Sequence, residues 1–124
     1  MYAAIIVTHG SLGRTLMESV VAILGPQTDV HVVSNEGVSL EEIVRRVGTI
    51  LTDQPTAVFV DFCGGSPYIA CQTLKQTHPS CAILSGVNLP MLFSFFTKRD
   101  KLSFAELMKV AETDGHRGIQ LSAS

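Results

Sequence analysis

The chain contains no Trp and only two Tyr, so it offers no row of aromatic faces on which nucleic-acid bases could stack. It has no Lys/Arg run and a formal net charge of −2, which removes the electrostatic footprint of a nucleic-acid binder. No apolar run approaches the roughly 20 residues of a membrane span. The N-terminus shows neither a basic flank nor a signal-peptide cleavage site, so a soluble cytoplasmic protein is expected. Three cysteines, Cys63, Cys71 and Cys81, form no C-x-x-C pair, and without a secretory signal they read as small apolar side chains rather than a disulfide framework. The four histidines show no zinc-site spacing with one another or with the cysteines, so neither a metal nor a cofactor is expected.

What is abundant is apolar. Hydrophobic residues make up 46% of the chain and charged residues only 16%, so much of it must be inside, which favours layered α/β structure over a solvated bundle. With 124 residues there is enough chain for one core and too little for two, so residues 1–124 are expected to form a single domain.

Residues 2–8 form a nearly continuous apolar run, the signature of a strand covered on both faces. Leu12, Leu16, Val20, Ile23 and Leu24 then share a helical face, closed by Gly25-Pro26. "VHVV" (30–33) reads as a strand, and Ser39 with Glu42 makes a capping box for a helix. "AVFV" (57–60) is a third strand ending at Asp61. Ser66 is placed as the next N-cap, with Pro67 at the first helical position. "CAIL" (81–84) is a fourth strand, followed by a short apolar helix to about Phe96. Ser103 and Glu106 open a last helix to about Thr113, and "GIQLS" (118–122) reads as a fifth strand. This alternation predicts a three-layer, doubly wound, mostly parallel α/β sheet.

In such a fold the strand-to-helix loops gather at one edge of the sheet, where ligands bind. Three loops rich in Gly and small polar residues emerge there: "THGS" (8–11), "DFCGGSP" (61–67) and "SGVNLP" (85–90). In the order 2-1-3-4, His9 and Asp61 end adjacent strands. A carboxylate beside an imidazole holds one ring N–H and turns the other nitrogen's lone pair outward. Gly64, Gly65 and Ser66 lead into a helix N-terminus, where free N–H groups favour an anion. Nucleophile, orienting acid and anion cradle are the parts of a phosphohistidine site.

These segments carry a resemblance. "THG", "VDFCGGSP" and "GVNLPML" (86–92) resemble the three signature segments of the mannose-type IIA component of the bacterial sugar phosphotransferase system, in order and over essentially the whole chain. The resemblance implies that His9 is phosphorylated on Nε2 by the histidine phosphocarrier protein HPr and passes the group to a IIB component for sugar uptake. The chain would then meet a membrane only indirectly, through a transporter complex. It further implies that Asp61 orients the ring, that Ser66 and its neighbouring amides contact the phosphate, and that the protein is a homodimer. The implied sheet order is 2-1-3-4-5 with the last strand antiparallel. The chain departs from the family pattern at Ile69, where Asn is common, and at Cys63, where an aromatic is common; both bear on partner choice. The alternative is a regulatory phosphohistidine module without onward transfer.

Other classes fit less well. A phospho-acceptor receiver domain needs carboxylates after strand one to hold Mg²⁺, and that position reads Thr8-His9. "THGSLG" is neither G-x-G-x-x-G nor a P-loop, and "GGSP" is not the G-x-S-x-G of a serine hydrolase. His31 is expected to be structural or solvated, His78 exposed in a loop before Pro79, and His116 solvated in the turn "DGHRG" (114–118). Phe93, Phe95 and Phe96 are expected in the core, with a dimer or partner surface as the alternative, and "KRDK" (98–101) in a solvated helix-to-helix loop.

Overall fold

The computed structural model describes residues 1–123. Four strands and five helices alternate: β1 (Ala3–Thr8), α1 (Leu12–Leu24), β2 (Val30–Ser34), α2 (Leu40–Ile50), β3 (Thr56–Val60), α3 (Ser66–Lys75), β4 (Cys81–Ser85), α4 (Leu89–Lys98) and α5 (Phe104–Arg117). The sheet is parallel throughout, in the order β2-β1-β3-β4. Among the described residues no helix is long and apolar enough to cross a membrane.

The alternation of side chains along the central strands divides the core in two. Ala4, Ile6, Ala57 and Phe59 face a cluster with Met17, Val20, Leu92, Phe95 and Leu107, from α1, α4 and α5. Ile5, Val7, Val58 and Val60 face Ile43, Val47, Ala70 and Leu74, from α2 and α3. Both faces being covered, β1 and β3 are apolar throughout rather than alternating.

Several boundaries differ from the sequence expectation, each for a physical reason. The buried side of α1 is Gly13, Met17 and Val20, while Leu12 and Ile23 are exposed. A Cβ on Gly13 would lie 3.0 Å from Val32 Cγ1 and 3.1 Å from Thr8 Oγ1, so the missing side chain lets α1 settle onto the sheet along that line. The N-cap of α3 is Gly65 rather than Ser66, which is the first helical residue. Helix α5 runs past Thr113 to Arg117 because Gly115 is buried against Met91, and the Asn88 side chain donates to its carbonyl. His116 is therefore an exposed helical residue rather than part of a turn. His78 is half-buried rather than exposed, with Nδ1 3.2 Å from the Leu74 carbonyl at the end of α3.

The fifth strand expected at 118–122 is absent. The N–H of Gly118 closes α5 on the carbonyls of Asp114 and Gly115, and residues 119–123 carry no strand pairing. Ile119 and Leu121 are 79% and 92% exposed, so this tail finds no sheet edge within its own chain. Among the described residues the sheet is four-stranded, with no antiparallel last strand.

Candidate active site

Parallel pairing of β1 with β3 brings Val7 opposite Val60, so the chain leaves the two strands side by side at His9 and Asp61. Asp61 Oδ2 accepts from the His9 backbone N–H at 2.9 Å and lies 2.7 Å from its ring Nδ1. The other oxygen, Oδ1, accepts from the Phe62 N–H at 3.1 Å. An ionised carboxylate only accepts, so Nδ1 carries the ring proton and Nε2 keeps its lone pair. The Asp61 side chain is 8% exposed and that of His9 is 41% exposed, so the carboxylate is covered while the imidazole faces solvent.

Burial, the largest single influence on Asp61, pushes its carboxyl up toward the neutral form. The His9 backbone N–H, the bond to the His9 ring and that ring's charge together outweigh it, and the net shift is downward. Asp61 therefore stays an acceptor across the neutral range.

The turn holding His9 is fixed from the β2 side. Gly10 has φ +54, and its N–H donates to Asn35 Oδ1 at 3.1 Å while its carbonyl accepts from Ser34 Oγ at 2.7 Å. Sequence reasoning did not single out Ser34 or Asn35; small polar residues at the end of a strand beside β1 were the available signal.

On the other side, the N-cap of α3 closes on the ring. A Cβ on Gly65 would lie 2.8 Å from His9 Cε1, so only glycine permits this approach. Gly64 is required for a different reason, its φ of +95. Ser66 begins α3, and Pro67 has no N–H, so among the first helical residues Ser66 and Tyr68 carry the unused amides. The structure thus gathers His9, Asp61 and Gly65, with Gly64 and Ser66 flanking them. The third loop has a structural use: the Val87 N–H donates to Val60, and Asn88 caps α4 through the Met91 N–H.

One contact was not anticipated from sequence. The Phe62 ring stacks on the His9 imidazole, with centroids 4.9 Å apart and planes within 11°. Cys63 and Ile69, the two departures from the family pattern, are both exposed beside this loop. The neighbouring Cys63 thiol pushes the Tyr68 phenol upward, against an opposing contact from Gln72.

A covered carboxylate fixing a solvent-facing imidazole at a parallel-sheet edge, beside a helix N-terminus, is the candidate site of this four-stranded α/β fold. The family model described as the fructose IIA component of the phosphotransferase system (PTS) matches residues 3–112, and the chain belongs to that family. It is 28% identical to the PTS system mannose-specific EIIAB component of Escherichia coli over 95% of its own length, but spans only 38% of that relative. The sorbose-specific EIIA component of Klebsiella pneumoniae is 27% identical, covering 86% of this chain and 82% of the relative. The solved EIIA of Streptococcus agalactiae superposes with a TM-score of 0.91 at 26% identity, covering 97% of this chain and 96% of that one.

Proposed function

We propose that this chain is a cytoplasmic phosphoryl carrier that accepts phosphate on His9 Nε2 from HPr and delivers it to a IIB component for sugar uptake. The observation that carries this reading is the 2.7 Å contact of His9 Nδ1 with Asp61, which leaves Nε2 as the nucleophilic nitrogen. In the step, the Nε2 lone pair forms the new N–P bond as the donor's P–N bond breaks, its electron pair returning to the donor imidazole. The Nδ1 proton stays in its bond to Asp61, so the ring becomes cationic against a carboxylate. His9 Cε1, which is bonded to Nε2, lies against Gly65, which supports assigning the amides around Gly64, Gly65 and Ser66 as donors to the phosphate oxygens.

The proposal includes a homodimer. In the tail, apolar Ile119 and Leu121 alternate with Gln120 and Ser122, and the outer edge of β4 has no strand partner among the described residues. A second copy supplies a sheet edge on which that tail pairs antiparallel. Exposed Cys63 and Ile69 lie where partners would dock and are the side chains that distinguish this chain's partner choice.

The test is reconstitution with phosphoenolpyruvate, enzyme I and HPr. One phosphate per chain, absent in His9→Ala and discharged on adding a cognate IIB component, is the expected outcome. Uptake without discharge to any IIB component favours the regulatory module. No uptake rejects both.

A further inference from the structure

The Phe62 ring has no evident reason to be where it is. It is 52% exposed, so burial alone does not hold it. Yet it lies nearly parallel to the His9 imidazole at 4.9 Å, and it is fixed from two further directions. Its backbone N–H is held by Asp61 Oδ1, the same carboxylate whose other oxygen holds His9. A Cβ on Gly65 would meet Phe62 Cζ at 3.0 Å and Cε2 at 3.1 Å, so the absent side chain makes room for this ring as well as for His9.

We propose that Phe62 is a positioning residue for the phosphoryl step, its ring holding the imidazole in line with Asp61 and facing the positive charge that the imidazole acquires. This inference rests on the phosphoryl-acceptor reading and adds to it. The geometry supplies two effects. First, an imidazole on a single strand-end residue can rotate about its side-chain bonds. Asp61 fixes one edge of it, and a stacked face removes the remaining tilt, which keeps the Nε2 lone pair on one line of attack. Second, once Nε2 carries the phosphoryl group and Nδ1 keeps its proton, the ring is cationic. An aromatic face is negative at its centre, so it favours the charged ring over the neutral one. The carboxylate acts in the plane of the imidazole and Phe62 acts across it.

The experiment compares wild type, Phe62→Leu and Phe62→Tyr. Leucine keeps an apolar side chain without a π face, and tyrosine restores the face. The first readout is the NMR shift of the His9 ring protons in the unphosphorylated protein, which reports the ring current of a stacked aromatic. Phe62→Leu is expected to move these resonances and Phe62→Tyr to leave them near wild type. The second is single-turnover transfer from phosphorylated HPr at saturating concentration. Phe62→Leu is expected to slow it roughly 3- to 30-fold, the span of a face-on cation contact, with Phe62→Tyr close to wild type.

His9 resonances unmoved in Phe62→Leu overturn the stacking, whatever the transfer rate. A raised KM for HPr with an unchanged saturating rate makes Phe62 a docking residue and overturns the proposal. No phosphate uptake by wild type overturns the acceptor reading, and this inference with it. Since Phe62 is half exposed, its variants should keep the wild-type melting temperature, measured on the same samples.

Discussion

Asp61 Oδ2 takes both the backbone N–H and the ring Nδ1 of His9, at 2.9 and 2.7 Å. A single oxygen thus fixes where the chain leaves β1 and which nitrogen of the imidazole is free. The carboxylate that makes both contacts is covered, while the ring it holds is exposed.

Replacing Asp61 by Asn preserves shape but puts an amide, able to donate, where an acceptor-only group stood. The other tautomer of His9 becomes competitive, and the phosphorylated ring loses its counter-charge. Single-turnover transfer is expected to fall roughly 10²- to 10⁴-fold, the span for misplaced orienting groups, with HPr affinity changed far less. Lost affinity with near-normal transfer would make Asp61 a docking residue. The melting temperature must be followed alongside, because a buried unpaired amide can itself destabilise a small domain.

The same contact sets a pH dependence. The folded-state pKa of Asp61 is lowered, so the unfolded chain binds the proton more tightly than the native one. The stability it contributes is complete above the ordinary carboxylate value of about 4 and is lost as pH falls through the lower, folded value. Thermal midpoints of wild type and Asp61→Asn, measured from pH 7 down to pH 2, should converge on acidification. A gap independent of pH would mean that the carboxylate charge contributes nothing to folding.

Gly65→Ala tests the close approach of α3 to His9. With a methyl carbon 2.8 Å from Cε1, the ring or the loop must shift. Transfer is expected to drop by about 10²-fold, as for a displacement near 1 Å at a reacting group. Gly65 has φ −79, so the substitution strains no backbone and the fold should persist. Wild-type transfer by Gly65→Ala would show that the ring has room to spare.

Much of this site is legible in the sequence because β1 and β3 are apolar from end to end. Such strands occupy the middle of a parallel sheet, and the polar residue that ends each must then sit beside the other. Phe62 is not legible, since nothing in a loop sequence tells an aromatic turned toward its neighbour from one turned to solvent. Ser34 and Asn35 depend on the register that pairs Ser34 with Thr8, which periodicity does not specify. The buried face of α1 differs from the one its apolar pattern marks, because hydrophobicity gives weight to Leu12 and none to Gly13, while contact with the sheet rewards the smaller residue. In α5, "DG" reads as a turn, yet Gly115 is buried against Met91 and the helix continues through it.

Asn88 separates structural from chemical parts of the family motifs. Its Oδ1 caps α4 and its amide donates to the Gly115 carbonyl, so both ends of the side chain are engaged within the α4–α5 pair. Asn88→Ala is expected to cost about 1–2 kcal/mol of stability, read by urea denaturation, with phosphoryl transfer unchanged at a temperature where the variant is folded. Impaired transfer in the folded variant would bring the third loop into the site.

The central claim concerns a single nitrogen. After phosphorylation by phosphoenolpyruvate, enzyme I and HPr, ¹H–¹⁵N and ³¹P NMR of ring-labelled protein identifies which histidine nitrogen bonds to phosphorus. The geometry predicts Nε2 of His9, with Nδ1 still protonated toward Asp61. Phosphorus on Nδ1 of His9, or on His31, His78 or His116, would contradict the account.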